Sequence, residues 1–158
     1  MKKNIFLIAS IIIASGVLFV NFYNSLIDVK SWGSDIPNSI GIAREYFRVV
    51  NPGNFFRVFS PINQAIGLLV LVLFWKTSPS IRLSLGIAFC LYVLGDVLTF
   101  AYFYPRNDIM FKTASLTDIE TLKNAWLGWN ATNWIRSLIV LGGLILSCLS
   151  LHKIYTLK

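Results

Sequence analysis

One carboxylate stands out by its setting. Asp96 lies within "RLSLGIAFCLYVLGDVLTFAYFY", residues 82–104, a stretch with no other acidic residue. It precedes Tyr104 by eight residues, which is about 12 Å along a helix. A lone carboxylate at that depth in an apolar segment must be protonated or paired. Two roles suit it: a structural ion pair, or an acid/base group or substrate anchor. Arg136, about one turn inside the last apolar segment, is the first candidate partner, and Arg106 the second.

Further polar side chains recur at helical spacing near the same level. Asn21, Asn24 and Asp28 follow i, i+3, i+7, and Tyr92, Asp96 and Thr99 follow i, i+4, i+7, so each set shares a helix face. Asn63 and Gln64 lie near one end of the second apolar segment, and Pro105, Arg106 and Asn107 close the third. Trp126, Trp129, Asn130, Asn133 and Arg136 form a stripe leading into the fourth. Every apolar segment thus brings polar groups to one end, while the other half is Ile, Leu, Val, Gly and Ala. The expectation is a polar pocket with Asp96 as its floor and Arg106 and Asn107 as its rim. Asp108 reads as a solvated loop charge. Trp32, Tyr102, Tyr104 and Trp134 also suit an aromatic belt at a membrane interface.

The elements that must position these residues are membrane helices. Of 158 residues, 56% are hydrophobic and 13% charged, against roughly 25% charged in a soluble domain. The expected fold class is all-α: an integral membrane four-helix bundle forming one domain over residues 1–158, with short amphipathic helices in two long extracytoplasmic loops. The spans are placed at about 4–28, 60–76, 82–104 and 130–152. "MKKNIFLIASIIIASG" resembles a signal peptide, but no small-x-small cleavage site follows, so it is read as a retained helix. Pro61 is expected to start the second helix and Pro105 to stop the third. Gly143 and Ser147 make a small-xxx-small pair for close packing of the fourth.

The loops at about 29–59 and 105–129 are expected to carry surface helices at 40–50 and 115–129, the second capped by Ser115 or Thr117. Arg44, Tyr46, Arg48, Asn51, Asn54 and Arg57 form a second polar group there. "VNPGNFFRVFSPINQ" has turn chemistry at Asn51-Pro52-Gly53 and reads either as a lid over the bundle mouth or as a solvated loop anchored by its phenylalanines. Lys2, Lys3, Lys76, Arg82, Lys153 and Lys158 sit on the termini and the short 76–82 loop, which hold no acid. The positive-inside rule then puts both termini in the cytoplasm of a bacterial plasma membrane.

The net charge of +7 is scattered over loops and accompanied by no nucleic-acid-binding motif, which sets that class aside. Two cysteines and one histidine offer no metal-ligand spacing, so no cofactor is expected. Cys90 and Cys148 fall deep in apolar segments at similar depths, as small buried hydrophobes or as neighbours. The Asn130-Ala131-Thr132 sequon sits at the start of a span and is read as a chance match.

The pattern Thr99-x5-Pro105-x-Asn107, then about twenty residues, then Trp129-x3-Asn133-x2-Arg136 resembles a four-helix membrane family grouped with fungal anthrone oxygenases. The likeness covers roughly residues 60–150; the long first loop departs from it, which points to a different substrate or to no catalysis. The resemblance implies oxidation of a fused-ring phenolic anthrone to a quinone by O₂ without metal or flavin. In that reading Asp96 is the base, and Arg106, Arg136 and Asn107 are donors. Trp126, Trp129 and Tyr102 are the aromatic walls. Asn21, Asn24, Asn63, Gln64, Thr99 and Asn133 complete the substrate-binding set, with Asp96 and Arg136 as the catalytic pair. The competing reading is a non-catalytic membrane subunit, or a lipid or small-molecule binder, in a homo-oligomer or larger complex. A transporter ranks last, because the inner half offers no polar path.

Overall fold

The computed structural model describes residues 2–112 and 117–156. All its regular elements among those residues are helical: α1 (Lys2–Tyr23), α2 (Val29–Trp32), α3 (Asn38–Tyr46), α4 (Pro52–Leu73), α5 (Pro79–Leu98), α6 (Tyr104–Phe111) and α7 (Ile119–Thr156). Two π-helical turns, Asn24–Asp28 and Thr99–Phe103, join α1 to α2 and α5 to α6. Four rods result: Lys3–Trp32, Pro52–Leu73, Pro79–Phe111 and Ile119–Thr156, each long and apolar enough to cross a membrane. Their outward Ile, Leu, Val and Phe side chains suit contact with lipid.

Every rod is longer than its hydropathy implied, and both prolines read as punctuation lie inside helices. The third rod passes Pro105 and runs to Phe111. The π turn before it closes with the Tyr104 N–H donating to the Thr99 carbonyl. That wider turn takes the preceding carbonyls out of α register. The proline ring, which clashes with an i−4 carbonyl in a regular helix, therefore continues the rod. Pro61 is likewise interior, and the second rod starts at Pro52. Asn51 and Asn54 form a reciprocal capping box there, with the Asn51 N–H donating to Asn54 Oδ1 at 3.0 Å. The supposed turn at Asn51-Pro52-Gly53 is a helix start.

The segment from Ile119 is not a separate surface helix but the beginning of the 38-residue α7. A helix of that length spans about 57 Å, nearly twice a bilayer core of about 30 Å. Of the residues expected to cap it, Ser115 lies outside the described residues; Asp118, next to Thr117, caps the helix. Its Oδ1 accepts from the Thr121 N–H at 3.0 Å, and the Thr121 hydroxyl, with that N–H, holds the exposed Asp118 carboxyl below its ordinary value.

Two ends of the bundle differ in character. At the termini end, Leu7, Val70, Phe74, Ile81 and Leu85 form a core. Lys153 Nζ donates to Ser80 Oγ at 2.7 Å, and Lys3 and Arg82 lie over the Phe74 and Trp75 rings. The midsection packs Ala14, Leu18, Ala88, Tyr92 and Val140. Here α5 and α7 come close: a Cβ on Gly143 would stand 2.6 Å from the Tyr92 ring and 3.2 Å from the Ala88 carbonyl. Ser147, one turn on, shares a 3.1 Å hydrogen bond with the Tyr92 hydroxyl. Cys90 and Cys148 are free and exposed: neither buried nor joined, they sit on outward faces.

At the other end, α2, α3, α6 and the first turns of α7 build a headpiece around Val29, Trp32, Ile40, Phe103, Met110, Leu122 and Trp129. Arg44 fastens α3 to α6 by donating from Nε to the Met110 carbonyl at 2.7 Å. A cation suits a helix C-terminus, and partial burial pulls the Arg44 pKa down. Asp108 is no loop charge; it lies on α6 and pairs with Lys112 at 2.7 Å.

Candidate functional site

A small cavity lies between the rods just below the headpiece. Its wall is Val17 and Asn21 from α1; Phe56, Ser60, Asn63 and Gln64 from α4; Tyr92, Gly95 and Asp96 from α5 with Thr99 beside them; and Arg136 and Val140 from α7. The spacings explain the convergence. Phe56, Ser60, Asn63 and Gln64 fall at i, i+4, i+7, i+8, and Tyr92, Asp96 and Thr99 at i, i+4, i+7, so each helix offers one face. Gly95 lets α7 approach: a Cβ there would already touch Val140 at 3.5 Å and Arg136 at 4.0 Å.

Arg136 dominates the electrostatics. Its side chain is 5% exposed, and its guanidinium lies between two aromatic faces, 4.2 Å from the Phe103 centroid and 5.0 Å from that of Phe56. Nη1 donates to Thr99 Oγ1 at 3.2 Å and Nη2 to Asn133 Oδ1 at 2.5 Å. Asn133, fully buried, also donates from Nδ2 to the Asn21 carbonyl at 2.9 Å and to Ser25 Oγ at 2.6 Å. The π turn at Asn24–Asp28 begins beside these acceptors, where the α-helical ladder is interrupted. Such turns recur at functional sites, and a second one, Thr99–Phe103, supplies the partner of Nη1.

Asp96 shares the cavity with Arg136, but the expected ion pair is absent. The Asp96 Oδ2 accepts from Gln64 Nε2 at 2.9 Å instead, and the guanidinium is turned toward Thr99 and Asn133. Arg106, the second candidate, is stacked on the Tyr102 ring at 3.4 Å and donates to the Tyr102 carbonyl at 3.3 Å.

Partnerless polar atoms gather around this cavity. Among the described residues, seven buried side-chain nitrogens and oxygens have no hydrogen-bond partner. Five belong to the wall: Asn21 Nδ2 and Oδ1, Asn63 Oδ1, Gln64 Oε1 and Arg136 Nε. Asn24 Oδ1, near Asn21, and Arg106 Nε are the others. Buried polar groups are ordinarily satisfied, and here five such atoms on one cavity wall have no partner among the described residues. The cavity volume is about 20 Å³, room for one or two waters.

The anticipated site residues therefore divide. Asn21, Asn63, Gln64, Asp96, Thr99 and Arg136 line the cavity. Asn133 stands behind it and holds Arg136, and Asn24 is buried off the wall. Tyr102, Arg106, Asn107, Trp126 and Trp129 do not reach it. The two indoles and the Asn107 oxygen are used in the headpiece: Trp129 Nε1 donates to Asn107 Oδ1 at 2.9 Å and Trp126 Nε1 to the Val29 carbonyl at 2.7 Å. The Trp129 ring packs edge-on against Trp32 and Phe103. Phe56 lies before the expected start of its helix at about 60, Ser60 stands at that expected start, and Tyr92 belongs to the Asp96 stripe; none of the three is among the expected site residues.

No protein-family model, curated protein or solved structure matches the chain. The anthrone oxygenase resemblance thus rests on its motif residues alone. Of these, Thr99 and Arg136 line the cavity with Asn133 holding Arg136 from behind, while Pro105, Asn107 and Trp129 belong to the headpiece.

Proposed function

We propose that this chain is a membrane-embedded small-molecule-binding protein. It takes the polar head of a hydrophobic aromatic molecule, anthrone- or quinol-like, into the cavity between α1, α4, α5 and α7. The observation that carries this reading is the cluster of partnerless polar atoms around Arg136. The cluster mixes donors, Arg136 Nε and Asn21 Nδ2, with acceptors, Asn21 Oδ1, Asn63 Oδ1 and Gln64 Oε1. A hydroxyl answers both kinds and a carbonyl answers the donors. A full anion meets Arg136 but also the Asp96 carboxylate and three amide oxygens, so a neutral head fits better. A volume of about 20 Å³ admits that head alone, and the rings then extend toward lipid.

Binding of anthrone and of a short-chain quinol to the detergent-solubilised protein tests this. Arg136→Gln is expected to weaken affinity tenfold or more, since a hydrogen bond to a charged group contributes about 1.5–3 kcal/mol, and Asn63→Leu severalfold, since a neutral one contributes about 0.5–1.5 kcal/mol. Undiminished affinity in both variants would refute the assignment.

Within this reading Asp96 serves as the base of a cofactor-independent oxygenase. It removes a proton from the anthrone, and the resulting anion reacts with O₂. One oxygen atom becomes the new ring carbonyl, and the other leaves as water with the two hydrogens of the former methylene. The absence of a direct ion pair with Arg136 favours this role, because one Asp96 oxygen is held only by Gln64 and the carboxylate faces the cavity. The small cavity favours the second reading, a binder without turnover. Asp96→Asn separates them: lost O₂ uptake with retained binding identifies an enzyme, whereas O₂ uptake absent from both proteins identifies a binder. The acid-free, basic termini end supports a cytoplasmic location for both termini in a bacterial plasma membrane, which turns the cavity toward the outer leaflet.

A further inference from the structure

We infer that the cavity is loaded sideways from the bilayer, through the first turns of α4, with Phe56 as the gate and Pro61 as the hinge. The inference deepens the binding reading: it makes the ligand a membrane-dissolved molecule with an apolar aromatic body and one neutral polar head.

The four rods are not held equally. The first, third and fourth continue past the cavity into the headpiece, where Val29, Trp32, Phe103, Leu122 and Trp129 pack together. That second core locks three walls of the cavity in place. The fourth wall, α4, packs against α1 and α5, contributes no residue to the headpiece core, and is the least buried of the four rods. It is the wall that can move without opening a core.

The hinge is written into the helix itself. Pro61 lacks an N–H, so the Arg57 carbonyl has no i+4 donor, and the backbone ladder is interrupted there. The interruption falls within the cavity wall: Asn63 and Gln64 lie on one side of it and Phe56 and Ser60 on the other. The two turns before the hinge remain a helical unit because Asn51 and Asn54 cap them. Hinges of this kind concentrate a closure motion in a few residues.

The gate has a defined latch and a defined outlook. On the cavity side Phe56 covers the guanidinium, its centroid 5.0 Å from Arg136 Cζ. On the other side Val58, Phe59 and Ile62 are exposed, as expected of a surface facing acyl chains. Swinging Pro52–Ser60 outward withdraws Phe56 and exposes Arg136 and the amides to the bilayer, not to water. A head group can enter while its apolar body stays in lipid.

The test reads access to the cavity and needs no ligand, so its failure is separate from a failure of binding. Cys90 and Cys148 are replaced by serine, and Val17→Cys places one thiol in the cavity wall on the fixed helix α1. The protein is reconstituted in vesicles and its labelling timed. The reagents are lipid-soluble N-phenylmaleimide and a charged, membrane-impermeant methanethiosulfonate. Phenylmaleimide is expected to react at least tenfold faster than the charged reagent. Phe56→Ala should accelerate phenylmaleimide severalfold without admitting the charged reagent, and Phe56→Trp and Pro61→Ala should slow it. Equal rates for the two reagents, no labelling by either, or a phenylmaleimide rate indifferent to Phe56 would overturn the inference. Acceleration of both reagents by Phe56→Ala would show general loosening and overturn it too.

Discussion

Asn133 was anticipated as a ligand-binding residue, and the structure makes it a fastener whose worth can be calculated. Asn133→Leu keeps the branched shape and removes three hydrogen bonds, to the Asn21 carbonyl, Ser25 Oγ and Arg136 Nη2. Two of these join α7 to the first rod, and hydrogen bonds between membrane helices average about 0.6 kcal/mol each, which sets a floor of about 1 kcal/mol. The site is harsher than average, for the bond from Arg136 is charge-assisted, and a buried group left unsatisfied costs about 1–3 kcal/mol. The expected loss is about 3–5 kcal/mol. For a chain of this length that is a fall in Tm on the order of 10 °C. Thermal unfolding followed by circular dichroism in mild detergent reads it directly, with Asp96→Asn as comparison. Asp96 has one neutral partner, Gln64, so its amide variant should lose no more than about 1 kcal/mol. If Asn133→Leu melts with the wild type, the bonds from Asn133 to Asn21 and Ser25 do not hold the bundle together. If Asp96→Asn is the less stable of the two, Asp96 is structural and the site reading fails with it.

Other consequences are simpler to check. Gly143→Val forces side-chain atoms into the 2.6 Å gap to Tyr92 and against the Ala88 carbonyl, and should cost about 1–3 kcal/mol by overpacking. Gly142→Ala, whose Cβ meets Leu91 at an ordinary 3.5 Å, should melt within about 0.5 kcal/mol of the wild type in the same denaturation assay. Gly33→Ala places a Cβ 2.1 Å from the Trp126 ring. It should break the bond from Trp126 Nε1 to the Val29 carbonyl, seen as faster amide exchange across residues 29–36. The Asp118 carboxyl titrates below its usual 3.8 because it accepts from Thr121. Its capping contribution is therefore fully present above pH 3.8 and lost as the pH falls through the lower folded value. Amide exchange at Thr121 should rise in that acid range in the wild type and not in Asp118→Asn, which keeps the acceptor at all pH values.

The four spans were legible because hydropathy depends on composition alone, and twenty apolar residues have few alternatives to a membrane helix. Their ends were not legible, and the reason is specific. Pro61 and Pro105 were read as boundaries, but a proline ends a helix only when the i−4 carbonyl and the lost donor cannot be accommodated. The π turn at Thr99–Phe103 accommodates Pro105, and exposure at the edge of the bundle accommodates Pro61. A π turn depends on tertiary partners, here Arg136 reaching Thr99, and no local pattern announces it. The Asn51-Pro52 start was readable in principle: an Asn followed by Pro at N1 and a second Asn at N3 is a capping pattern. Starting α4 there would also have revealed the Phe56–Gln64 stripe.

The same boundary error explains why the site was half right. Had the third helix stopped at Pro105, Arg106 and Asn107 would have folded back over Asp96 as a rim. Because the rod continues, Arg106 is carried ten residues past Asp96, about 15 Å along the axis. The fourth rod runs antiparallel beside it, so what matches Arg106 and Asn107 in height is not Arg136 but residues about seven to ten positions earlier. The contacts follow that pairing: Asp96 and Thr99 share a level with Arg136 and Asn133. The Tyr102–Arg106 stack abuts Gly128, and Asn107 meets Trp129. One polar end in the sequence is thus two storeys in space. The upper storey has its indoles and Asn107 hydrogen-bonded within the headpiece and acts as a roof. Among the described residues, the upper leaves only Arg106 Nε without a partner, whereas the lower leaves five atoms of Arg136, Asn21, Asn63 and Gln64 unmet around one cavity, which is why the proposed binding site is placed in the lower storey.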